Sequence, residues 1–150
     1  MTDRFNSLAI LGKEGRLAGH IAGFRPRDSQ LAMSDAVAEA VREKRVLMVE
    51  AGTGTGKTYA YLAPALLSGE KVIVSTGTRN LQDQLFHRDL PTILAAMGVS
   101  VRTALLKGRA NYLCPYRLQI HLEDGRFASK QTVHELQRVA EWAPTSNSGD

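Results

Sequence analysis

Short apolar runs alternate with amphipathic segments through most of the chain. The apolar runs lie within residues 46–49, 71–76 and 101–106, and each has the length of a buried strand. Between the first two runs, residues 59–67 are apolar over more than two helical turns. Strand, helix and strand in this order predict a βαβ unit with a right-handed crossover. The predicted fold class is therefore α/β, a parallel sheet with flanking helices and with ligands at the carboxyl ends of its strands.

An amphipathic helix is predicted before the first strand. It begins near Pro26, a residue favoured in the first turn of a helix, and extends to about Lys44. One side of this helix carries apolar residues at helical spacing and is the predicted core face. These residues are Leu31, Met33, Ala36, Val37, Ala40 and Val41.

Further helices are predicted after the second strand. One follows Thr78 and ends before Pro91, because proline interrupts a helix. The C-terminal portion is predicted to be mostly helical, and Thr132 with Glu135 forms a capping box before an amphipathic stripe. Residues 1–22 have only a weak apolar face through Leu8 and Leu11, with Leu17 and Ile21 as further candidates, so they are predicted to form a loosely attached leader.

The first apolar run leads directly into a glycine-rich loop. Ala51 is followed after four residues by Gly56, Lys57 and Thr58, which is the Walker A spacing with alanine in place of the first glycine. Glycines at 52, 54 and 56 can turn successive N–H groups inward around a phosphate. Lys57 would reach the β and γ phosphates, Thr58 would offer its hydroxyl to Mg²⁺, and the following helix would direct its positive end at the anion. The sequence therefore predicts a phosphate-binding loop.

Composition and charge narrow the class of protein without identifying a partner. The 150 residues are 43% hydrophobic and 23% charged, as expected of a globular domain with a core. The net charge of +4 is spread along the chain and by itself gives no indication of nucleic-acid binding. No apolar run approaches the roughly 20 residues needed to cross a bilayer, and no signal-peptide pattern is present, so a cytoplasmic location without membrane contact is expected. The single cysteine, Cys114, excludes an internal disulfide.

A complete phosphoryl-transfer site also needs an acidic residue at the end of another buried strand. After residue 58 no run of four apolar residues is followed by Asp or Glu. The nearest candidates, Glu123 and Asp124, lie in a segment that alternates polar and apolar residues and is typical of a solvated helix end. We therefore expect the chain to bind ATP but not to hydrolyse it efficiently alone.

Four segments in order resemble one family. They are residues 23–30, 49–64, 72–85 and 104–114, with the sequences GFRPRDSQ, VEAGTGTGKTYAYLAP, VIVSTGTRNLQDQL and ALLKGRANYLC. Together they resemble the N-terminal end of the DinG/YoaA-type ATP-dependent DNA helicases of superfamily 2, bacterial relatives of the xeroderma pigmentosum group D helicase. The resemblance implies a RecA-like P-loop NTPase fold, incomplete here. It also implies ATP, Mg²⁺ and single-stranded DNA as ligands, 5′ to 3′ movement, a role in DNA repair, and a replication or repair protein as partner.

The resemblance also implies domain boundaries and residue roles. Residues 1–22 would be the leader, 23–112 the first part of motor domain 1, and 113–150 the truncated start of an iron–sulfur insert. ATP would be bound by Phe24, Arg27, Gln30, Ala51, Gly52, Thr53, Gly54, Thr55, Gly56, Lys57, Thr58 and Tyr59, with Lys57 and Thr58 as the catalytic pair. DNA would be contacted by Ser75, Thr76, Gly77, Thr78, Lys107 and Arg109, and Cys114 would be one of four ligands of a [4Fe–4S] cluster in the full-length protein.

Several alternatives remain open at the level of sequence. Phe24 could be a core anchor and Gln30 a solvated helix residue, rather than groups that stack on adenine and read its edge. Residues 75–78 could be an ordinary helix cap, and Lys107 with Arg109 a solvated loop. The whole chain could instead be a small P-loop kinase, or a stand-alone nucleotide-binding module without motor activity.

Overall fold

The computed structural model describes residues 5–127 and 129–150, which form two compact units divided between Thr103 and Ala104. The helices of the first unit are α1 (Ser7–Leu11), α2 (Asp28–Glu43), α3 (Lys57–Leu67), α4 (Arg79–Gln84) and α5 (Leu90–Met97). The second unit contains α6 (Pro115–Asp124) and α7 (Lys130–Trp142), so the predicted helical C-terminal portion is confirmed. Among the described residues, no helix is both long enough and apolar enough to cross a membrane. The predicted domain boundaries at 22 and 112 stay predictions.

The core of the first unit is built from helices rather than from a sheet. Its buried residues come from α1, α3 and α5 and from the short connections beside them. They are Ile10, Leu11, Leu17, Leu62, Ala63, Leu85, Ile93, Ala96 and Met97. The helix predicted after the glycine-rich loop is confirmed as α3, which supplies the centre of this core.

The prediction that the N-terminal residues are loosely attached is wrong. Leu11 in α1 and Leu17 in the 3₁₀ turn Arg16–Gly19 are completely buried. The Arg16 guanidinium also donates a hydrogen bond of 2.9 Å to the carbonyl of Met97. Leu8, predicted to share the apolar face, is instead 63% exposed. The apolar pattern of this segment was weak, because α1 and the 3₁₀ turn are short and bury only a few side chains.

Helix α2 is confirmed, but its buried face differs from the prediction. Pro26 precedes the helix, which begins at Asp28 with Arg27 as its N-cap. The six apolar residues predicted as the core face are only half-buried, whereas the buried residues of α2 are Gln30 and Ser34. Helix α2 packs against α3, and part of its apolar side borders an open depression beside Leu47 and Val49. The inner side of this helix therefore includes two polar side chains, as well as Leu31, which packs against the core.

The predicted parallel sheet is not confirmed, because the residues that the structure describes contain no β-strand. Val46, Met48 and Ile73, which belong to the first two predicted strands, are 99%, 94% and 90% exposed. A strand in a parallel sheet needs neighbouring strands for its hydrogen bonds and helices on both faces. An apolar run does not specify those partners, so the pattern predicted a strand pairing that these segments do not show.

The helix predicted to end before Pro91 continues past that residue. Helix α4 passes through a π-helical turn at Leu85–Asp89 into α5, where Pro91 occupies the first turn. The wider turn accommodates the pyrrolidine ring, which would clash within a regular α-helix. Pro91 therefore changes the local helical geometry without ending the helical path.

The second unit corrects one predicted helix start. The hydroxyl of Ser129 accepts a hydrogen bond of 3.2 Å from the backbone N–H of Thr132, so Ser129 is the N-cap of α7. The predicted cap at Thr132 is wrong by one turn. Both residues have hydroxyl side chains, and only the backbone conformation decides which of them caps the helix.

Candidate functional site

The glycine-rich loop enters α3 in the conformation that its sequence requires. Gly54 and Gly56 have φ angles of 77° and 78°, in the left-handed region that glycine adopts without strain. Gly52 is not in that region, and its carbonyl accepts a hydrogen bond of 3.0 Å from the hydroxyl of Thr55. Gly56 is the N-cap of α3, so the first unpaired N–H groups of the helix follow the loop directly.

The Lys57 side chain folds back onto the loop. Its ammonium donates hydrogen bonds of 2.7 Å to the carbonyls of Ala51 and Gly52. These two bonds connect the start of α3 to the beginning of the loop, and they hold a positive charge at the helix N-terminus. A phosphate would compete well for this ammonium, because a hydrogen bond between two ions is stronger than one to a neutral carbonyl.

Thr58 and Tyr59 lie in the first turn of α3 and are half-buried. Tyr59 packs against the core, and burial raises the pKa of its hydroxyl, with a further rise from the Asp89 carboxylate. Burial likewise raises the pKa of Tyr61. Both tyrosines are therefore neutral at physiological pH and contribute no charge to the loop.

The buried carboxylate of Asp89 was not predicted from sequence. It accepts hydrogen bonds from the Gln84 amide at 3.0 Å and from the Arg88 guanidinium at 3.1 Å. Burial of an ion without such partners is costly, which explains why both donors face it. In the sequence Asp89 directly follows the polar residues His87 and Arg88, and no local signal separates its carboxylate from a solvated one.

Gln30 meets the glycine-rich loop directly. Its amide nitrogen donates a hydrogen bond of 3.0 Å to the carbonyl of Gly56, and its side chain is buried. The alternative interpretation of Gln30 as a solvated helix residue is therefore wrong. Phe24 packs partly against the core, and Arg27 is exposed at the N-cap of α2. The structure thus brings Gln30 into contact with the loop, whereas Arg27 is exposed.

The segment at residues 75–78 contains a helix cap. The hydroxyl of Thr78 accepts a hydrogen bond of 3.3 Å from the N–H of Leu81 and caps α4. Thr76 donates to the carbonyl of Thr78 at 3.3 Å, while Ser75 and Gly77 are exposed. The cap accounts for Thr78, and the exposed positions beside it remain available to a ligand.

In the second unit, Lys107 and Arg109 have different surroundings. The Lys107 ammonium pairs with the Asp150 carboxylate at 2.7 Å, whereas Arg109 is exposed at the start of a 3₁₀ turn (Arg109–Asn111). Cys114 is exposed immediately before α6. These 150 residues contain one cysteine, and a [4Fe–4S] cluster held by cysteines needs four thiolates. The residues present therefore do not fit such a cluster by themselves.

The three loop glycines are predicted to differ in their tolerance of alanine. A Cβ at Gly52 would meet open space at an ordinary φ, and one at Gly54 would meet open space at a positive φ. At Gly56 it would lie 2.1 Å from the Gln30 amide as well as at positive φ. Gly52→Ala should leave the free energy of unfolding within about 0.5 kcal/mol of the original chain. Gly54→Ala should cost about 1 kcal/mol and Gly56→Ala about 2 kcal/mol or more.

Urea denaturation of the three variants tests this order. The original chain and the Gly52→Ala variant serve as references, since the same atoms are added in all three substitutions. Equal losses at positions 52 and 56 would contradict the assigned conformation of the loop.

The sequence of the chain matches one known protein family. The family model described as DEAD/DEAH box helicase matches residues 31–120, which is more than half of the chain. The match contains the glycine-rich loop, α3 and the capped helix α4. No solved structure gives a significant match.

Curated relatives include proteins named for helicase activity. The chain is 51% identical over 149 residues to "ATP-dependent DNA helicase YoaA" of Haemophilus influenzae and 47% identical over 150 residues to the protein of the same name from Escherichia coli. It is 37% identical over 151 aligned positions to "ATP-dependent helicase DinG" of Mycobacterium tuberculosis, which cover 87% of the chain. The alignments cover 99% and 100% of the chain for the first two proteins, but only 23% of the length of each of the three relatives. The chain therefore belongs to the DEAD/DEAH box helicases, and its resemblance to the DinG/YoaA-type members is confirmed.

Proposed function

We propose that this chain supplies the ATP-binding part of the first motor domain of an ATP-dependent DNA helicase. The observation that carries the proposal is the glycine-rich loop, with left-handed Gly54 and Gly56 and with Lys57 at the start of α3. Membership of the helicase family supports DNA as the substrate on which the complete motor acts. A RecA-like parallel sheet is part of the proposal for the complete motor domain.

Each part of the loop has a proposed role toward Mg²⁺ and ATP. Backbone N–H groups of residues 52–58 would bind the phosphates, and Lys57 would move from the carbonyls of Ala51 and Gly52 to the β and γ phosphate oxygens. The hydroxyl of Thr58 would hold Mg²⁺ together with phosphate oxygens. This mode fits the position of Thr58 in the first turn of α3, directly after the loop. Among the described residues, no group of three or more His, Cys, Asp or Glu side chains could hold a metal. Phe24 would stack on the adenine.

The proposed DNA contacts lie in both units of the chain. In the first unit, Ser75 and Gly77 are exposed beside the cap of α4 and could donate to phosphates without reading sequence. In the second unit, the exposed guanidinium of Arg109 suits the backbone of a single strand. Movement from 5′ to 3′, a role in DNA repair, a replication or repair protein as partner and a cytoplasmic location complete the proposal. Cys114 is proposed as a cluster ligand only in a longer chain that supplies three more thiolates.

The proposal predicts nucleotide binding without steady turnover by the 150-residue chain. The phosphate loop is present, but after residue 58 no run of four apolar residues leads to an Asp or Glu that would organise Mg²⁺ and the attacking water. We expect saturable Mg²⁺·ATP binding by isothermal titration and no steady phosphate release, with or without single-stranded DNA. Steady ATP hydrolysis that is lost in Lys57→Ala would contradict the expectation of an incomplete site. Phosphate transfer to a small acceptor would favour a kinase instead.

Helicase activity itself can be tested in a chimaera. This chain aligns over its full length with 23% of the Escherichia coli relative, so the matching segment of that protein can be replaced by it. We expect the chimaera to unwind duplexes with a 5′ single-stranded overhang in an ATP-dependent manner, and duplexes with a 3′ overhang at least about tenfold more slowly. The matched control carries Lys57→Ala in the same chimaera. A folded, ATP-binding chimaera that unwinds neither substrate would count against the helicase proposal.

A further inference from the structure

Gln30 makes a contact that recognition of adenine does not explain. Its side chain, 3% exposed, lies in the first turn of α2 and donates a hydrogen bond of 3.0 Å to the carbonyl of Gly56. We propose that Gln30 is a positioning residue, which holds the phosphate loop in its anion-binding conformation whatever base the nucleotide carries. This inference rests on the proposed function of the loop as a triphosphate site.

The bond acts on the peptide unit where the loop becomes a helix. The peptide unit between Gly56 and Lys57 is planar and trans. The carbonyl of Gly56 and the N–H of Lys57 therefore lie in one plane and point in opposite directions. When Gln30 holds the Gly56 oxygen on one side, the N–H of Lys57 is directed to the other side. That N–H belongs to the first turn of α3, where helix N–H groups lack an intrahelical acceptor and are free to bind an anion.

A second hydrogen bond to the same oxygen joins the loop to the helix. The N–H of Ala60 donates to the carbonyl of Gly56 at 3.2 Å, as the first helical bond of α3. Gln30 and Ala60 therefore share one acceptor, which suits the two lone pairs of a carbonyl oxygen. Without the Gln30 bond, the hydrogen bond from the N–H of Ala60 is the one that remains to hold this peptide unit.

Close packing reinforces the bond. A Cβ at Gly56 would lie 2.1 Å from the Gln30 amide nitrogen, so the amide rests against the bare Cα of a glycine whose φ is 78°. Only glycine at 56 and a long side chain with a terminal donor at 30 satisfy this arrangement together. Gln30 is buried and the hydrogen bond is partly buried, so an unpaired amide at this position costs more than one on a surface.

One turn further along α2, Ser34 provides an internal reference. It is also completely buried, but its hydroxyl has no hydrogen-bond partner among the described residues. Ser34→Ala therefore removes a buried polar atom from α2 without removing a bond to the loop. Any effect specific to the loop should appear in Gln30 variants and not in this one.

The positioning role and a base-reading role predict different selectivity. A residue that only reads adenine affects ATP and leaves GTP and inorganic triphosphate unchanged. A residue that shapes the loop affects all three ligands by a similar factor, because all three bind through phosphates. We expect Gln30→Ala and Gln30→Met to weaken each ligand about fivefold to tenfold, the factor typical of one lost hydrogen bond. Met keeps most of the size of Gln but donates no hydrogen bond, so it separates the bond from packing.

The experiment measures both the loop and its ligands in the 150-residue chain. Hydrogen exchange of residues 50–58, without ligand, is compared in the original chain, Gln30→Ala, Gln30→Met and Ser34→Ala, with exchange of α5 as a measure of global opening. Isothermal titration then gives the affinities for Mg²⁺·ATP, Mg²⁺·GTP and Mg²⁺·triphosphate. Both Gln30 variants should exchange at least about fivefold faster in the loop, with α5 unchanged, whereas Ser34→Ala should match the original chain.

Unchanged loop exchange in Gln30→Met would overturn the proposal, and so would a loss of affinity confined to ATP. Failure of the original chain to bind any of the three ligands would instead reject the proposed function. The exchange measurement would still decide whether Gln30 orders the loop, because it needs no ligand.

Discussion

Lys57→Ala is expected to lower the affinity of the chain for Mg²⁺·ATP by at least about 100-fold. The proposed role of the ammonium is to bind the β and γ phosphates, and each hydrogen bond between charged groups is worth about 1.5–3 kcal/mol. Loss of about 2.7 kcal/mol corresponds to a factor of 100 in the dissociation constant. Isothermal titration of the purified variant with Mg²⁺·ATP measures this change.

The control for Lys57→Ala must separate the local role of the ammonium from the net charge. Lys71→Ala removes the same charge from an exposed position outside the loop and should change the affinity less than twofold. Lys57 also donates to Ala51 and Gly52, so its removal loosens the loop even without ligand. Equal affinities of the two variants would mean that the loop does not bind phosphate through Lys57.

The glycine-rich loop could be predicted because its determinants are local. The spacing from Ala51 to Thr58 predicted a loop followed by a helix, and Gly54 and Gly56 adopt the positive φ values that this loop requires. Lys57 in this motif also predicted a positive charge at the start of α3. About a dozen consecutive residues are therefore enough to predict these features.

The contact between Gln30 and the loop depends on distant residues and could not be predicted. The two partners are 26 positions apart, and a glutamine on an amphipathic helix normally indicates its solvated side. Helical periodicity placed the core on the apolar side of α2, yet the buried residues of this helix are Gln30 and Ser34. Only the tertiary packing of α2 shows that this polar pair lies on its inner side.

The sheet prediction went beyond what the sequence pattern can determine. Runs such as 46–49 and 71–76 have the composition of buried strands, but strand formation depends on partners elsewhere in the fold. The burial of Leu11 and Leu17 was missed for the opposite reason, because two short turns give too few apolar positions for a clear period. In both cases burial is decided by tertiary contacts that a local pattern does not contain.

Leu11→Ala should strongly destabilise the first unit, although it lies in the segment whose sequence suggested loose attachment. Leu11 is completely buried in the core formed with α3 and α5. Truncation of such a leucine removes apolar contacts and leaves a cavity, at a cost of about 3 kcal/mol. With a urea m-value of about 2 kcal/mol/M, the unfolding midpoint should fall by about 1.5 M. Equilibrium denaturation followed by circular dichroism measures this shift.

Leu8→Ala is the matched control, because it makes the same chemical change in the same helix. Leu8 is mostly exposed, so its truncation should alter the free energy of unfolding by no more than about 0.5 kcal/mol. A large difference between the two variants would show that α1 is anchored by one face to the core beside α3. Similar small losses at both positions would mean that α1 is not packed in solution, and that the original expectation of a loose leader describes it better. Because α3 carries Lys57 at its first turn, anchoring of α1 would also tie the N-terminal residues to the stability of the phosphate loop.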